Sequence, residues 1–448
     1  MSFTIDKQTL EELNLMGKFK HGSVYGLFSK VKTAGGQRLL NDMFNHPLED
    51  INAINTRSAI FRSFQDARLA FPFDPQQIGL MRDHLDAAAA KSALFTLVTL
   101  LKKKWMSLLI RDERYKQSIQ GLQATIGILN RCYTFVSNSA SLTGPFADRL
   151  TAVRSVLSDK RLEKLRNTDI YKAIPLSTLA FYDHLLKGGL HSEMQEILNF
   201  IAELDVYITV GEVARTRDFH YAKALSPEQQ VFSAKGLRHP CIDGAVGNEI
   251  SLYKGNNMLF LTGANMAGKS TLMKSVGIAL YLAHMGFPVA AAQLDFSVRE
   301  GIYSSINVAD NINLGYSHFY AEVVRVKQAA EATAAGKKLL LMFDELFKGT
   351  NVKDAYDGTL AVTKAFSAYE DCLFIVSTHI IEVGEALESL PNIQFAYMPT
   401  VMDGTHPRYT YQLKEGITED RQGMMIIRNE GILDLLKGKT MPGLPEST

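Results

Sequence analysis

The spacing of apolar positions divides the chain in two. Residues 76–144 and 176–226 contain no proline, and in the second of these blocks Met194, Ile197, Leu198, Ile201, Leu204 and Ile208 recur at i, i+3, i+4, i+7 spacing. That period belongs to a helix with one buried face. The simplest reading is a set of long helices, several of them antiparallel, whose stripes pack on one another. Before them, Gly35-Gly36 precede a helix with polar Gln37 and Arg38 in its first turn, and His46-Pro47-Leu48 stops one helix and starts the next. Near Ser226-Pro227-Glu228 the pattern changes to short apolar runs alternating with helical ones, the α/β signature. The expected fold is therefore α + α/β: an all-helical domain over residues 1–235, an α/β domain over 236–436, and a flexible tail over 437–448.

Composition narrows this picture only a little. At 448 residues the chain is too long for one simple core, and 46% hydrophobic with 21% charged residues is ordinary for a globular protein. A formal net charge of +1 gives no global attraction to nucleic acid. Any such attraction rests on the local clusters Lys102-Lys103-Lys104-Trp105, 111–116 and 160–166. These fit phosphate contact along a duplex; with Asp112, Glu113, Asp159 and Glu163 interspersed, they equally fit a solvated helix face. Cys132, Cys241 and Cys372 are scattered without metal spacing and suit a reducing, cytoplasmic setting. The start lacks a basic, apolar leader. The apolar stretch 276–294 is interrupted by His284, Gly286 and Pro288, so it reads as helix, turn and strand, and no membrane association is expected.

The candidate chemistry begins in the second half. Thr262-Gly263-Ala264-Asn265-Met266-Ala267-Gly268-Lys269-Ser270-Thr271 contains the pattern G-x-x-x-x-G-K-[ST], placed between an apolar run (258–261) and a helical one (272–282). Glycines at 263 and 268 let the backbone turn its N–H groups toward phosphate, and the helix N-terminus adds partial positive charge. Lys269 can reach the β- and γ-phosphates of ATP, and the Ser270 hydroxyl can bind Mg²⁺. The run Leu339-Leu340-Leu341-Met342-Phe343 ends in Asp344-Glu345. Asp344 is placed to hold Mg²⁺ and Glu345 to orient the attacking water. A further strand ends in Val376-Ser377-Thr378-His379, where His379 can sense the γ-phosphate, though a lone histidine is often a packed or capping residue. Ser317 sits where a helix begins and could face an anion or simply cap that helix.

In this order and wording the motifs resemble the MutS family of DNA mismatch-repair proteins, a branch of the ABC-type ATPases. The phosphate loop resembles T-G-P-N-M-G-G-K-S-T, with Ala264 and Ala267 in place of a proline and a glycine. Arg238-His239-Pro240 resembles the family's R-H-P element upstream of the nucleotide, which brings in His239 as a nucleotide-side residue. The segment 306–322, Thr378-His379 and the stretch 411–423 resemble further family elements, as do Thr33-Ala34-Gly35-Gly36-Gln37-Arg38-Leu39-Leu40 and Ala202-Glu203-Leu204-Asp205-Val206 in the helical half. The resemblance implies a core-and-lever domain, an ABC-type P-loop ATPase domain, DNA as a partner, possible repair proteins, and a homodimer with composite ATP sites in which Ser317 reaches the nucleotide held by the partner's Lys269. It also marks departures. The chain begins where the family's core begins, without the mismatch-reading and connector segments. Phe347-Lys348-Gly349-Thr350-Asn351 replaces G-R-G-T-S, and the aromatic that stacks on adenine is missing near Ala245-Val246-Gly247-Asn248. Two functions remain open: an ATP-dependent DNA-binding protein of the mismatch-repair type, or a nucleotide-gated scaffold that acts mainly through protein partners and does not read mismatches. A transporter ATPase is disfavoured, because no L-S-G-G-Q is present and a long helical half precedes the phosphate loop.

Overall fold

The computed structural model describes residues 3–17, 22–87, 92–110, 113–139, 142, 144–169, 172, 174–306, 318–403, 406–418 and 435. Two compact units result. Leu27–His46 and Thr56–Arg217 form one; the described residues of Met1–Gly26, Pro47–Asn55 and Asp218–Thr448 form the other.

The first unit is helical. Its organising helix, His191–Arg217, buries all six residues of the apolar stripe noted above. Each such side chain contributes roughly 1.5–3 kcal/mol on leaving water. Around this stripe pack helices Pro75–Asp86, Arg114–Asn138 and Ala147–Leu157, with Phe64, Phe146 and Phe200 filling the space between them. One buried carboxylate ties the unit's first helix, Ala34–Asn45, to this one. Asp205 accepts from the Lys32 and Thr33 backbone N–H groups at 2.9 and 2.7 Å and from the Thr33 hydroxyl at 2.8 Å. The Thr33 hydroxyl in turn accepts from Gly36 N–H at 2.9 Å, which makes Thr33 the N-cap. The helix therefore starts at Ala34, one turn earlier than the double glycine suggested. Gly36 is required by close approach: a Cβ there would lie 2.5 Å from Asp205 Oδ2.

The second unit is α/β. Its main sheet comprises β1 (Thr4–Ile5), β2 (Met258–Gly263), β3 (Gly301–Ser305), β4 (Leu339–Asp344), β5 (Leu373–Ser377), β6 (Ile393–Met398) and β7 (Lys414–Glu415). The spatial order is β1-β3-β4-β5-β2-β6-β7, parallel throughout except for the β6–β7 pair. β2, β4 and β5 are buried along their whole length, which is why they read as unbroken apolar runs. A second sheet is built from Lys223–Leu225, Gln293–Ser297, Phe232–Leu237 and Asn248–Leu252. The apolar stretch 276–294 resolves into the end of helix Lys269–His284, a turn, the short strand Pro288–Val289 and the start of the strand at Gln293. Among the described residues no helix is long and apolar enough to cross a membrane.

The division between units departs from the expected boundary at 235/236. The helical unit ends at Arg217, and strands His220–Tyr221, Lys223–Leu225 and Phe232–Leu237 belong to the α/β unit. The chain's first residues join that unit too. β1 pairs with β3, Glu12 accepts from the Ser304 hydroxyl and from Ile306 N–H, and Arg325 forks onto Asp6. The two-residue strand β1 and the helix Lys7–Glu12 are too short to carry a period of their own, so the sequence alone groups them with the helices that follow. The expected tail, 437–448, lies outside the described residues.

Candidate nucleotide site

The parallel order places the carboxyl ends of β4, β5 and β2 side by side, and the candidate residues sit at those ends. This is where ligands bind in open α/β sheets. At the end of β2, Gly263 has φ 140°, and a Cβ on it would press on the Met398 carbonyl at 3.1 Å. Gly268, the N-cap of helix Lys269–His284, has φ 105°, and a Cβ on it would lie 3.0 Å from the Tyr411 ring. Both positions therefore need glycine. Between them, Asn265 and Met266 are exposed at the loop's tip and line a cavity of about 620 Å³. Ala267 is turned inward, its N–H closing the turn onto the Ala264 carbonyl at 3.2 Å, so it shapes the loop without lining the cavity. Lys269, Ser270 and Thr271 line the cavity floor.

Lys269 is buried, and its ammonium donates to the Gly263 and Ala264 carbonyls at 2.8 and 3.1 Å. Burial pulls its pKa down, while Asp344 and Glu345 act in the opposite direction. An ammonium has three donors, so one remains, and the other two rest on the loop that a phosphate would occupy. The Ser270 hydroxyl bonds Asp344 Oδ2. The other oxygen, Asp344 Oδ1, is buried without a hydrogen-bond partner among the described residues, although the Ser377 hydroxyl lies near enough to favour the charged form. Burial raises the Asp344 pKa, and the Ser270 hydroxyl and Lys269 oppose that shift. A buried carboxylate oxygen left open beside a serine hydroxyl suits a hard, oxygen-seeking divalent cation.

Glu345 follows with φ 53°, a left-handed conformation uncommon for glutamate. Its N–H donates to the Ser377 carbonyl at 2.8 Å across β5, and the bend turns its side chain into the cavity. His379 Nδ1 lies 3.5 Å from Glu345 Oε1 and Lys348 Nζ 3.8 Å from Oε2. The hydrogen bond with His379 lowers the Glu345 pKa, with burial opposing and Lys348 and Lys269 assisting. The four chemistry-bearing side chains expected from sequence are thus brought together, with His379 linked to them through Glu345. His239 also lines the cavity. Burial, with Lys274 nearby, depresses its pKa to about 4, so it is neutral at ordinary pH, and its Nδ1 accepts from Cys241 N–H at 3.3 Å. Ser317 lies outside the described residues.

Sequence reasoning missed two wall residues. Ile242 and Tyr411 both line the cavity and are about half exposed. Tyr411 stands far along the chain from the loop, in an irregular stretch beyond the sheet. Asn248 holds that stretch by donating to the Tyr411 carbonyl at 3.0 Å and accepting from Leu413 N–H at 2.7 Å. An aromatic is therefore present beside the loop at Gly268 although none stands near residues 245–248, and only its place in the 411–423 motif pointed to it.

Comparison with known proteins agrees with this geometry. The profile described as MutS domain III matches residues 8–210, and that described as MutS domain V matches residues 259–435. The DNA mismatch repair protein MutS of Leuconostoc mesenteroides is 22% identical over 544 aligned positions, covering 97% of this chain and 62% of that protein. MutS of Anaplasma phagocytophilum is 33% identical over 198 residues, 44% of this chain and 24% of the relative. DNA mismatch repair protein spellchecker 1 of Drosophila melanogaster is 28% identical over 238 residues, 51% of this chain and 26% of the relative. The chain spans less than two thirds of the length of each. MutS domain V is an ABC-type ATPase domain, so this unit is an ATPase and binds ATP. With a helical domain III leading into an α/β domain V, the chain belongs to the MutS family.

Proposed function

We propose that the protein is an ATP-dependent DNA-binding protein of the mismatch-repair type, in which ATP binding and hydrolysis in the α/β unit drive movement of the helical unit on DNA. The observation that carries this reading is that Lys269, Ser270 and Glu345 line one cavity, with Asp344 bonded to Ser270, in a chain that matches MutS domains III and V. Lys269 exchanges its loop carbonyls for the β- and γ-phosphate oxygens. Ser270 and Asp344 would hold Mg²⁺, which when bound neutralises phosphate charge. Glu345, kept ionised by His379, orients and polarises the attacking water, and His379 reports the γ-phosphate to β5. The neutral His239 and the apolar faces of Tyr411 and Ile242 take the ribose and base, with Tyr411 supplying the aromatic surface. One chain offers one face of the nucleotide; a homodimer with composite sites, Ser317 of each copy completing the other's, supplies the second.

Steady-state ATP turnover tests this reading, run alone and with perfect, mismatched and branched duplexes at low and moderate salt. The proposal expects DNA to change turnover, with an effect that weakens as salt rises, because phosphate contacts release counterions. Turnover indifferent to every DNA at both salts would contradict it and favour the scaffold.

A further inference from the structure

A second cavity lies wholly inside the helical unit, with a volume of about 660 Å³, the size of a small-molecule site. Helices Ala34–Asn45, Pro75–Asp86, Ala147–Leu157 and His191–Arg217 converge on it and bring together Arg38, Arg82 and Arg149. Their charges are not handled alike. Arg149 is paired: it contacts one oxygen of Glu196 and forks onto both oxygens of Glu203 at 2.7 and 3.1 Å. Asp42, on the rim, is engaged by His46 at 3.0 Å. Arg38 and Arg82 make no hydrogen bond and no ion pair among the described residues. They are nonetheless close enough for the charge of Arg38 to lower the Arg82 pKa, behind the larger effect of burial, while Asp83 and Asp86 partly offset it from beyond ion-pair distance. Gly35 gives Arg82 its path: a Cβ there would lie 3.0 Å from the guanidinium. Two guanidiniums that make no direct ion pair thus face one concave space, and an oxyanion between them would engage their open donors.

We infer that this cavity binds a small phosphate-bearing ligand, gripped bidentately by Arg38 and Arg82. The Gln195 and Asn199 amides on the facing wall offer further donors. The recognition is of the phosphate; the cavity's size favours a free phosphate ester over the backbone of a duplex. The site is separate from the nucleotide cavity and does not depend on the function proposed for it.

The test is calorimetric titration of the full chain with inorganic phosphate, with AMP and with short duplex DNA. It uses Lys269→Ala, to silence the phosphate loop, and the same variant carrying Arg38→Gln or Arg82→Gln. The expected result is phosphate and AMP binding that survives Lys269→Ala and weakens at least tenfold with either arginine replaced. Arg38 is exposed, so its replacement does not threaten folding. Thermal melts give an independent signature. Without phosphate, Arg38→Gln should match or exceed its parent in Tm, because a like-charge contact is removed, while the phosphate-induced rise in Tm disappears. Phosphate binding lost with Lys269→Ala alone, or unchanged in both arginine variants, would overturn the proposal. So would binding of duplex DNA, but neither phosphate nor AMP, through these arginines; that outcome would reassign the cavity to a nucleic-acid backbone.

Discussion

Each unit is organised around a buried aspartate, and the two aspartates are treated in opposite ways. Asp205, 1% exposed in the helical unit, accepts from two backbone N–H groups and a hydroxyl that all belong to its own fold. Asp344, 8% exposed in the α/β unit, spends one oxygen on Ser270 and leaves the other without a proper partner. The first arrangement stabilises; the second costs stability and leaves a coordination site open. A buried carboxylate whose donors are all supplied locally acts as a structural tie, whereas one left half-satisfied beside a phosphate loop is poised for a ligand.

The contrast can be broken most forcefully through Asp344's neighbour. Glu345→Gln keeps shape but removes the charge that polarises water, so turnover should fall by about 10²–10³ with Tm unchanged. A variant within a few-fold of wild type in single-turnover hydrolysis would remove Glu345 from the mechanism. Asp205→Ala should do the reverse. It strands the Lys32 and Thr33 N–H groups and removes the partner of the Thr33 cap, costing about 3 kcal/mol in urea unfolding. A loss below about 1 kcal/mol would show that the tie is replaceable.

A third prediction concerns acid. His284 is fully buried, its Nδ1 2.7 Å from the Leu48 carbonyl and its Nε2 accepting from Arg299 N–H at 3.2 Å. Those partners fit only a neutral ring protonated on Nδ1, and burial lowers its pKa from 6.5 to about 4. Because the folded value lies below the unfolded one, the unfolded chain binds the proton first. Stability from this group is complete above pH 6.5 and is lost as pH falls toward 4, by about 3 kcal/mol in all. His284→Gln should flatten that part of the stability–pH curve; an unchanged curve would point to other groups. The smallest effect is expected at Asp344. Asp344→Asn should leave the metal-free protein as stable as wild type or up to about 1 kcal/mol more so, the sign opposite to Asp205→Ala, since it removes a poorly paired buried charge. A clear loss of stability would place Asp344 with the structural ties.

The sequence made the two fold classes legible because the 3.6-residue stripe of His191–Arg217 and the solid apolar strands β2, β4 and β5 carry their own periods. The site was legible where its residues fall in contiguous motifs at strand ends. What stayed hidden depends on contacts between distant segments. β1 is two residues long and is recognisable only by its partner Gly301–Ser305. Tyr411 reaches the cavity because Asn248 holds its stretch of chain, a pairing across 163 positions. Asp205 looked like one residue of a family motif, and its role as the tie to Thr33 exists only in the folded unit.

Lys269 is proposed to bind ATP in one cavity, where Ser270, Asp344 and Glu345 serve its hydrolysis. The most direct measurement is steady-state ATP hydrolysis by the full chain, with Mg²⁺ and with chelator, comparing wild type with Lys269→Ala. Turnover is expected to require Mg²⁺ and to fall at least about a hundredfold in the variant. Equal turnover in the two proteins, or turnover indifferent to the chelator, would contradict it.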